Sequence, residues 1–321
     1  MSSINLTRRF RKNEKLRKMI EEVTITPNDL IWPVFVKDGI SLPEEIENMP
    51  DVYRYSLQDS VDEIKKAEDL GISAIVVRPI PQKTDHGNWE KMIDLQQHIL
   101  NKISQECPSV SILIDNYFTC ITRDGFYGIK KEDGTLDSEK TLALLQDQAV
   151  AQAQAGADIV ITLGRVDNVV TALRCALNAN GLYETPIMSY AANFASTLAH
   201  AMLIDPEVSK IHKKGSLESK IGIGNIDEAM RQVSIEVEQG ADYLGIKPSI
   251  PFLDVIYQVK KTFKLPTATY IVSKEYNMVK AAAKAGYLDE WDTVNEFTLG
   301  IKRAGADKII TYWAREQVQR L

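Results

Sequence analysis

A lysine closes an apolar stretch in the last third of the chain. Ala241-Asp-Tyr-Leu-Gly-Ile-Lys-Pro reads as a buried strand, opened by Gly240 and ended by Pro248. Lys247 then runs its four-carbon stem along an apolar wall and holds its amine where little water reaches. Desolvation disfavours the ammonium form, and a neutral amine attacks carbonyl carbon. The plainer reading is a strand-end lysine that snorkels to solvent. Other chemistry-bearing residue types are scattered. Cys107, Cys120 and Cys175 form no CxxC pair, and His86, His98, His200 and His212 form no HxxxH or HExxH pattern, so spacing signals neither a disulfide framework nor a metal site.

The choice for Lys247 rests on the elements around it. Eight short apolar runs, ending at Val36, Arg78, Asp115, Thr162, Tyr190, Lys247, Ser273 and Tyr312, alternate with patterns of helical period. Three helix-to-strand junctions repeat almost verbatim, at Gly156-Ala-Asp158, Gly240-Ala-Asp242 and Gly305-Ala-Asp307. Glycine there ends a helix in the left-handed cap and the next strand starts at once. Eight such units predict an α/β fold of the (β/α)8 TIM-barrel type over residues 25–321, as a single catalytic domain. An open doubly wound sheet is the alternative, but no GxGxxG or GxxxxGK[ST] loop supports it. Residues 1–24 precede the first run and carry seven arginines and lysines from Arg8 to Lys18, which reads as an N-terminal extension arm that packs on a neighbouring subunit.

In a barrel, side chains at the C-terminal ends of the strands converge on one mouth. Asp115, Tyr190, Asn193, Lys247, Ser273 and Tyr312 all fall there. A lysine ringed by hydroxyls in such a place suits imine chemistry. Bulk composition fits a small-molecule enzyme: among 321 residues, 38 basic and 44 acidic side chains give a net charge of −6, so no nucleic-acid or anionic-membrane partner is expected. No run is long enough to span a bilayer and no apolar leader is seen, so the expected location is the cytoplasm.

Long motifs sharpen the expectation. Arg8-Arg-Phe-Arg-Lys-Asn-Glu-Lys-Leu-Arg, Asn28-Asp-Leu-Ile-Trp-Pro-Val-Phe-Val, Pro186-Ile-Met-Ser-Tyr-Ala-Ala, Ile246-Lys-Pro-Ser-Ile-Pro-Phe-Leu-Asp and Val272-Ser-Lys-Glu-Tyr-Asn-Met occur in order along the chain. In them the sequence resembles the porphobilinogen synthase (5-aminolevulinate dehydratase) family. The resemblance implies joining of two 5-aminolevulinate molecules into a pyrrole through two Schiff-base lysines. Lys247 matches the lysine of the first substrate; Ser273 and Tyr312 match the hydroxyls that bind its carboxylate. Asp115 matches an acidic group at the mouth, and Tyr190 joins Lys247 and Asp115 as a candidate catalytic residue. Phe252, Lys220 and Asn193 complete the candidate substrate-binding set.

The departures fall on the other half-site. Asn193 stands at the second lysine, and an amide forms no imine. Leu203 stands near one of two carboxylate-binding arginines, and Gly215-Ser-Leu-Glu-Ser-Lys-Ile221 replaces the loop that carries a glutamine, with Lys210, Lys213, Lys214 and Lys220 as residual basic groups. Tyr117, Thr119 and Tyr127 occupy the metal-ligand positions, with Cys120 one residue out of register, so no metal or other cofactor is expected at the site. Gln232 replaces a regulatory magnesium ligand. Leu163-Gly164 replaces a serine-aspartate pair while Asp167 remains, and Lys274 replaces a glycine. The expected function is a Schiff-base enzyme that binds 5-aminolevulinate or a related γ-keto acid through Lys247 and condenses or dehydrates it with an altered second substrate. The alternatives are an authentic, metal-independent porphobilinogen synthase and an inactive binding homologue. A homo-oligomer assembled through the arm is expected.

Overall fold

The structure, a computed structural model, describes residues 8–82, 87–117, 122, 126–199 and 219–321. Thr119, Cys120, Leu203, Lys210, Lys213, Lys214 and the 215–218 part of the replaced loop lie outside the described residues, as do His86 and His200.

Eight parallel strands close on themselves. In chain order they are β1 (Leu30–Lys37), β4 (Ala74–Ile80), β5 (Ser111–Asn116), β6 (Ile159–Thr162), β7 (Ile187–Asn193), β8 (Tyr243–Lys247), β9 (Thr267–Tyr270) and β10 (Lys308–Ile310). Each pairs with the next, and the pairs Leu30↔Ile309 and Ile31↔Ile310 shut the barrel between β1 and β10. Strands β1 and β7 are buried almost end to end, as parallel strands covered by helices must be. The helices cover them with one apolar stripe. On Leu57–Asp69 the buried Val61, Ile64 and Ala67 recur at helical spacing, and each larger apolar side chain there contributes about 1.5–3 kcal/mol.

The repeated junction explains itself in space through its aspartate. Asp158, Asp242 and Asp307 each donate a backbone N–H to the preceding barrel strand, at Ile112 O (2.9 Å), Ile187 O (3.0 Å) and Thr267 O (2.7 Å). Each side-chain carboxylate also accepts the N–H of that same residue, at 2.7, 2.8 and 2.8 Å. A two-point clasp fixes the register of three neighbouring strand pairs.

Outside the barrel, a two-residue strand β2 (Glu44–Glu45) and β3 (Tyr53–Tyr55) form a small antiparallel pair, and β3 joins β1 near its C-terminal end. This polar stretch has no period to read. It is held by Tyr276 Oη donating to Pro50 O (2.6 Å) and by the Lys280–Asp51 ion pair (2.8 Å), both from the helix Ser273–Lys284. The basic arm contributes the helix Glu14–Met19, which buries none of its residues and leaves Phe10, Met19 and Ile20 exposed. Among the described residues no helix is long and apolar enough to cross a membrane.

Candidate active site

Several apolar runs end differently from their sequence reading, and for three of them the site depends on it. Strand β7 continues past Tyr190 to Asn193, through a register shift between Ser189 and Ala192. A bulge re-aims the residues beyond it. It brings Asn193 into register with Lys247 at the top of β8. Ser273 and Tyr312 lie beyond the ends of β9 and β10. Ser273 is buried at the first turn of its helix, where N–H groups point outward with no helical partner.

Lys247 stands over two aromatic rings. Its Nζ lies 4.8 Å from the Tyr270 ring centroid and 5.2 Å from that of Tyr190. Tyr270 Oη and Tyr312 Oη share a 2.8 Å hydrogen bond, and Phe35 stacks on Tyr312. Burial raises the phenol pKa of both Tyr190 and Tyr312, which keeps them neutral donors. The Tyr190 hydroxyl is buried and unpartnered. Gly245 makes room for this ring: a Cβ there would meet Tyr190 Cδ1 at 2.5 Å. A glycine inside an apolar strand is the trace that such a close approach leaves in a sequence.

Two arginines join the lysine. Arg78, in the C-terminal half of β4, forms an ion pair with the buried Asp115 inside the barrel and lies 5.4 Å from the Tyr270 centroid. Asp115 is therefore neutralised by a cation. Arg165 follows β6, with Nε and Nη1 buried and unpartnered. Its placement depends on Gly164, at φ +59°, where a Cβ would meet Tyr190 O at 2.8 Å. Burial pushes the Arg165 guanidinium down to about 10. Burial, then the charges of Arg78 and Arg165, push the Lys247 amine well below the ordinary lysine range. Lys220, half-buried at the mouth, is pushed down to about 6 by burial, then by Arg165 and Lys247.

Asn193 is buried and its Nδ2 donates to Leu163 O (3.2 Å), tying the top of β7 to β6, while Oδ1 has no partner. Phe252, in the turn after Lys247, stacks on Phe194 with centroids 3.9 Å apart and planes 7° from parallel, walling one side of the mouth. Glu275 fixes that turn. Its carboxylate accepts N–H groups from Ile250 (2.7 Å) and Val272 (2.7 Å), locking the segment after Lys247 to the start of the Ser273 helix. Burial raises its pKa to about 7. Lys274 points away, its Nζ donating to Thr197 O (2.8 Å) on the exposed side. Asp167 is exposed, and Gln232 donates to Glu236 Oε1 (2.6 Å) within its own helix.

Of the residues that the resemblance sets at the metal positions, the described ones, Tyr117 and Tyr127, do not fit a metal ion. Tyr117 and Tyr127 line one small cavity together with Asn116, Thr162 and Arg165. Neutral hydroxyls beside a buried guanidinium make a poor seat for zinc or magnesium. Among the described residues no three His, Cys, Asp or Glu side chains come together.

Of the sequence candidates, Lys247, Tyr190, Tyr312, Asp115, Asn193 and Lys220 meet at this mouth, with Phe252 in its wall and Ser273 at its rim. Arg78, Arg165, Tyr270 and Glu275 escaped notice. The presence of the two arginines at the mouth, though not their roles, could have been read by the logic applied to Lys247, because Arg78 lies near the C-terminal end of an apolar strand and Arg165 just after one.

The comparisons agree with this architecture. The family model described as delta-aminolevulinic acid dehydratase matches residues 4–320. The chain is 39% identical over 321 residues to the delta-aminolevulinic acid dehydratase of Methanothermus sociabilis, covering 98% of each chain. It is 36% identical to that of Bacillus subtilis strain 168, covering 99% of this chain and 98% of the relative. A solved delta-aminolevulinic acid dehydratase (porphobilinogen synthase) from Toxoplasma gondii ME49, in complex with the reaction product porphobilinogen, superposes with a TM-score of 0.92 at 31% identity, covering 99% of this chain and 91% of that one. The chain belongs to the delta-aminolevulinic acid dehydratase family.

Proposed function

We propose that this chain is a porphobilinogen synthase, condensing two molecules of 5-aminolevulinate with loss of water. The observation that carries the reading is Lys247: a desolvated amine between two tyrosine rings, with Arg78 and Arg165 as the charged groups that act on it among the described residues, in a chain that matches the family along its length. The amine attacks the ketone carbon of the first substrate, the oxygen leaves as water, and an imine remains. Tyr190 and Tyr312 are hydroxyls poised to hold protons or oxygens beside it. Ser273 and the start of its helix receive the substrate carboxylate.

Charge supports an anionic substrate. Among the described residues the mouth gathers Arg78, Arg165, Lys220 and Lys247 against Asp115, in a protein of net charge −6. A local positive field draws carboxylates. Arg165 also puts a fixed positive charge at the hydroxyl-lined cavity where the family resemblance places a metal, and no step here is routed through one.

Asn193 favours a second reading, in which Lys247 still forms the imine but the other reactant is not aminolevulinate. The dehydratase relatives at 36–39% identity support pyrrole formation over that altered reaction. The purified chain, incubated with 5-aminolevulinate and developed with Ehrlich's reagent, is expected to give the porphobilinogen colour without added metal. Substrate consumed with no pyrrole formed would favour the second reading. The exposed apolar residues of the arm support a homo-oligomer, and truncation before residue 25 is expected to lower the mass seen by light scattering.

A further inference from the structure

The residue Asn193 lies between two lysine-bearing segments. On one edge of β7, Phe194 N donates to Lys247 O (3.0 Å). On the other edge, Ile221 N donates to Asn193 O (3.0 Å) and Ala195 N donates to Ile221 O (2.8 Å), a parallel bridge that pairs Ile221 with Phe194. Backbone hydrogen bonds thus pin the 220–221 segment into the mouth on the β6 side, and Lys220 is the residue that enters beside Arg165. Ser219, just before it, buries an unpartnered hydroxyl.

Lys220 does neither of the things a structural lysine does. The backbone bridge at Ile221 leaves it only partly exposed, and among the described residues the charged groups that act on it, Arg165 after β6 and Lys247 on β8, are both cations. A lysine held for its charge would not be placed so that the charged groups acting on it, among the described residues, are two other cations. A lysine held as an amine would be, because those neighbours strip its proton.

We propose that Lys220 is the second amine nucleophile of this mouth, forming an imine with the ketone of the second amino-keto acid while Lys247 holds the first. The Nζ lone pair forms a bond to the ketone carbon and the carbonyl oxygen takes a proton. The resulting carbinolamine loses that oxygen as water, leaving C=N. Attack by a substrate amino group on the imine carbon later returns Lys220 as the free amine. No oxidant or reductant is involved. The inference rests on the synthase reading above and names the residue that lets it proceed with an asparagine at position 193.

The full chain, incubated with 5-aminolevulinate and sodium cyanoborohydride near neutral pH and mapped by peptide mass spectrometry, separates the possibilities. Reduced adducts are expected on both Lys220 and Lys247, well above exposed lysines such as Lys18 and Lys65. Labelling at Lys220 falls off as the pH drops through about 6, where its amine regains the proton. Lys220→Arg, which keeps the charge and loses the imine, is expected to retain the Lys247 adduct and lose porphobilinogen formation by about a hundredfold or more. An adduct on Lys247 alone, with near-normal turnover in Lys220→Arg, would overturn the role of Lys220 and leave the synthase reading standing. Absence of adducts on both lysines would overturn the two together.

Discussion

The two edges of β7 show how one mouth can be built in two ways. On the β8 side, Lys247 and Tyr270 stand at strand ends, Tyr312 is hydrogen-bonded to Tyr270 just past the end of β10, and Glu275 clamps the turn after Lys247 with two short hydrogen bonds. On the β6 side, the basic groups Arg165 and Lys220 sit beyond the strands, on segments whose path depends on Gly164 and on the bridge between Ile221 and Phe194. Strand ends hold a chemistry in place through the barrel itself. Segments past the strands are freer to exchange residues, so an amine that Asn193 does not offer can be supplied from a neighbouring loop.

Removing the amine on the β8 side is expected to have the largest effect. Lys247→Ala should lower turnover on the order of 10^4-fold, as loss of a covalent nucleophile does, while Tm changes little because a desolvated amine is removed. Intact turnover in this variant would break the contrast by making the β6 side sufficient alone. Arg165→Met acts on the other edge. It removes the strongest positive neighbour of Lys220, so the pH midpoint for trapping at Lys220 should move upward from about 6. A midpoint that does not move would assign the shift to burial and Lys247.

Packing comes next in size. Gly245→Ala forces a Cβ against the Tyr190 ring and should cost about 1–3 kcal/mol in denaturant unfolding, with weaker trapping at Lys247. The smallest effect is electrostatic. Glu275 has a pKa of about 7 in the folded chain, above its ordinary value of 4.5, so between these limits the folded state binds more protons and stability falls as pH rises. Glu275→Gln should flatten that slope, read from unfolding midpoints across the window.

How much of this was legible in the sequence follows from the same contrast. The barrel could be read because buried parallel strands must be continuous apolar runs and because the Gly-Ala-Asp junction repeats. Lys247, Ser273 and Tyr312 could be named because strand ends converge. The β2–β3 pair could not, since two or three polar residues carry no period. The extension of β7 to Asn193 was hidden by a bulge, which breaks the alternation that marks a strand. Arg78 and Arg165 were visible as residues but silent as roles, because only the closed barrel shows Arg78 reaching Asp115 and Arg165 standing beside Lys220. Lys220 could be read only as a basic residue of a replaced loop; the backbone bridge that turns it into the mouth joins positions far apart in sequence.

The most direct measurement is the number of amines that capture substrate. Wild-type chain is treated with 5-aminolevulinate and cyanoborohydride near neutral pH and weighed intact by mass spectrometry. Two reduced aminolevulinate adducts per chain are expected, one for each edge of β7. A single adduct at saturation would contradict a two-amine mouth.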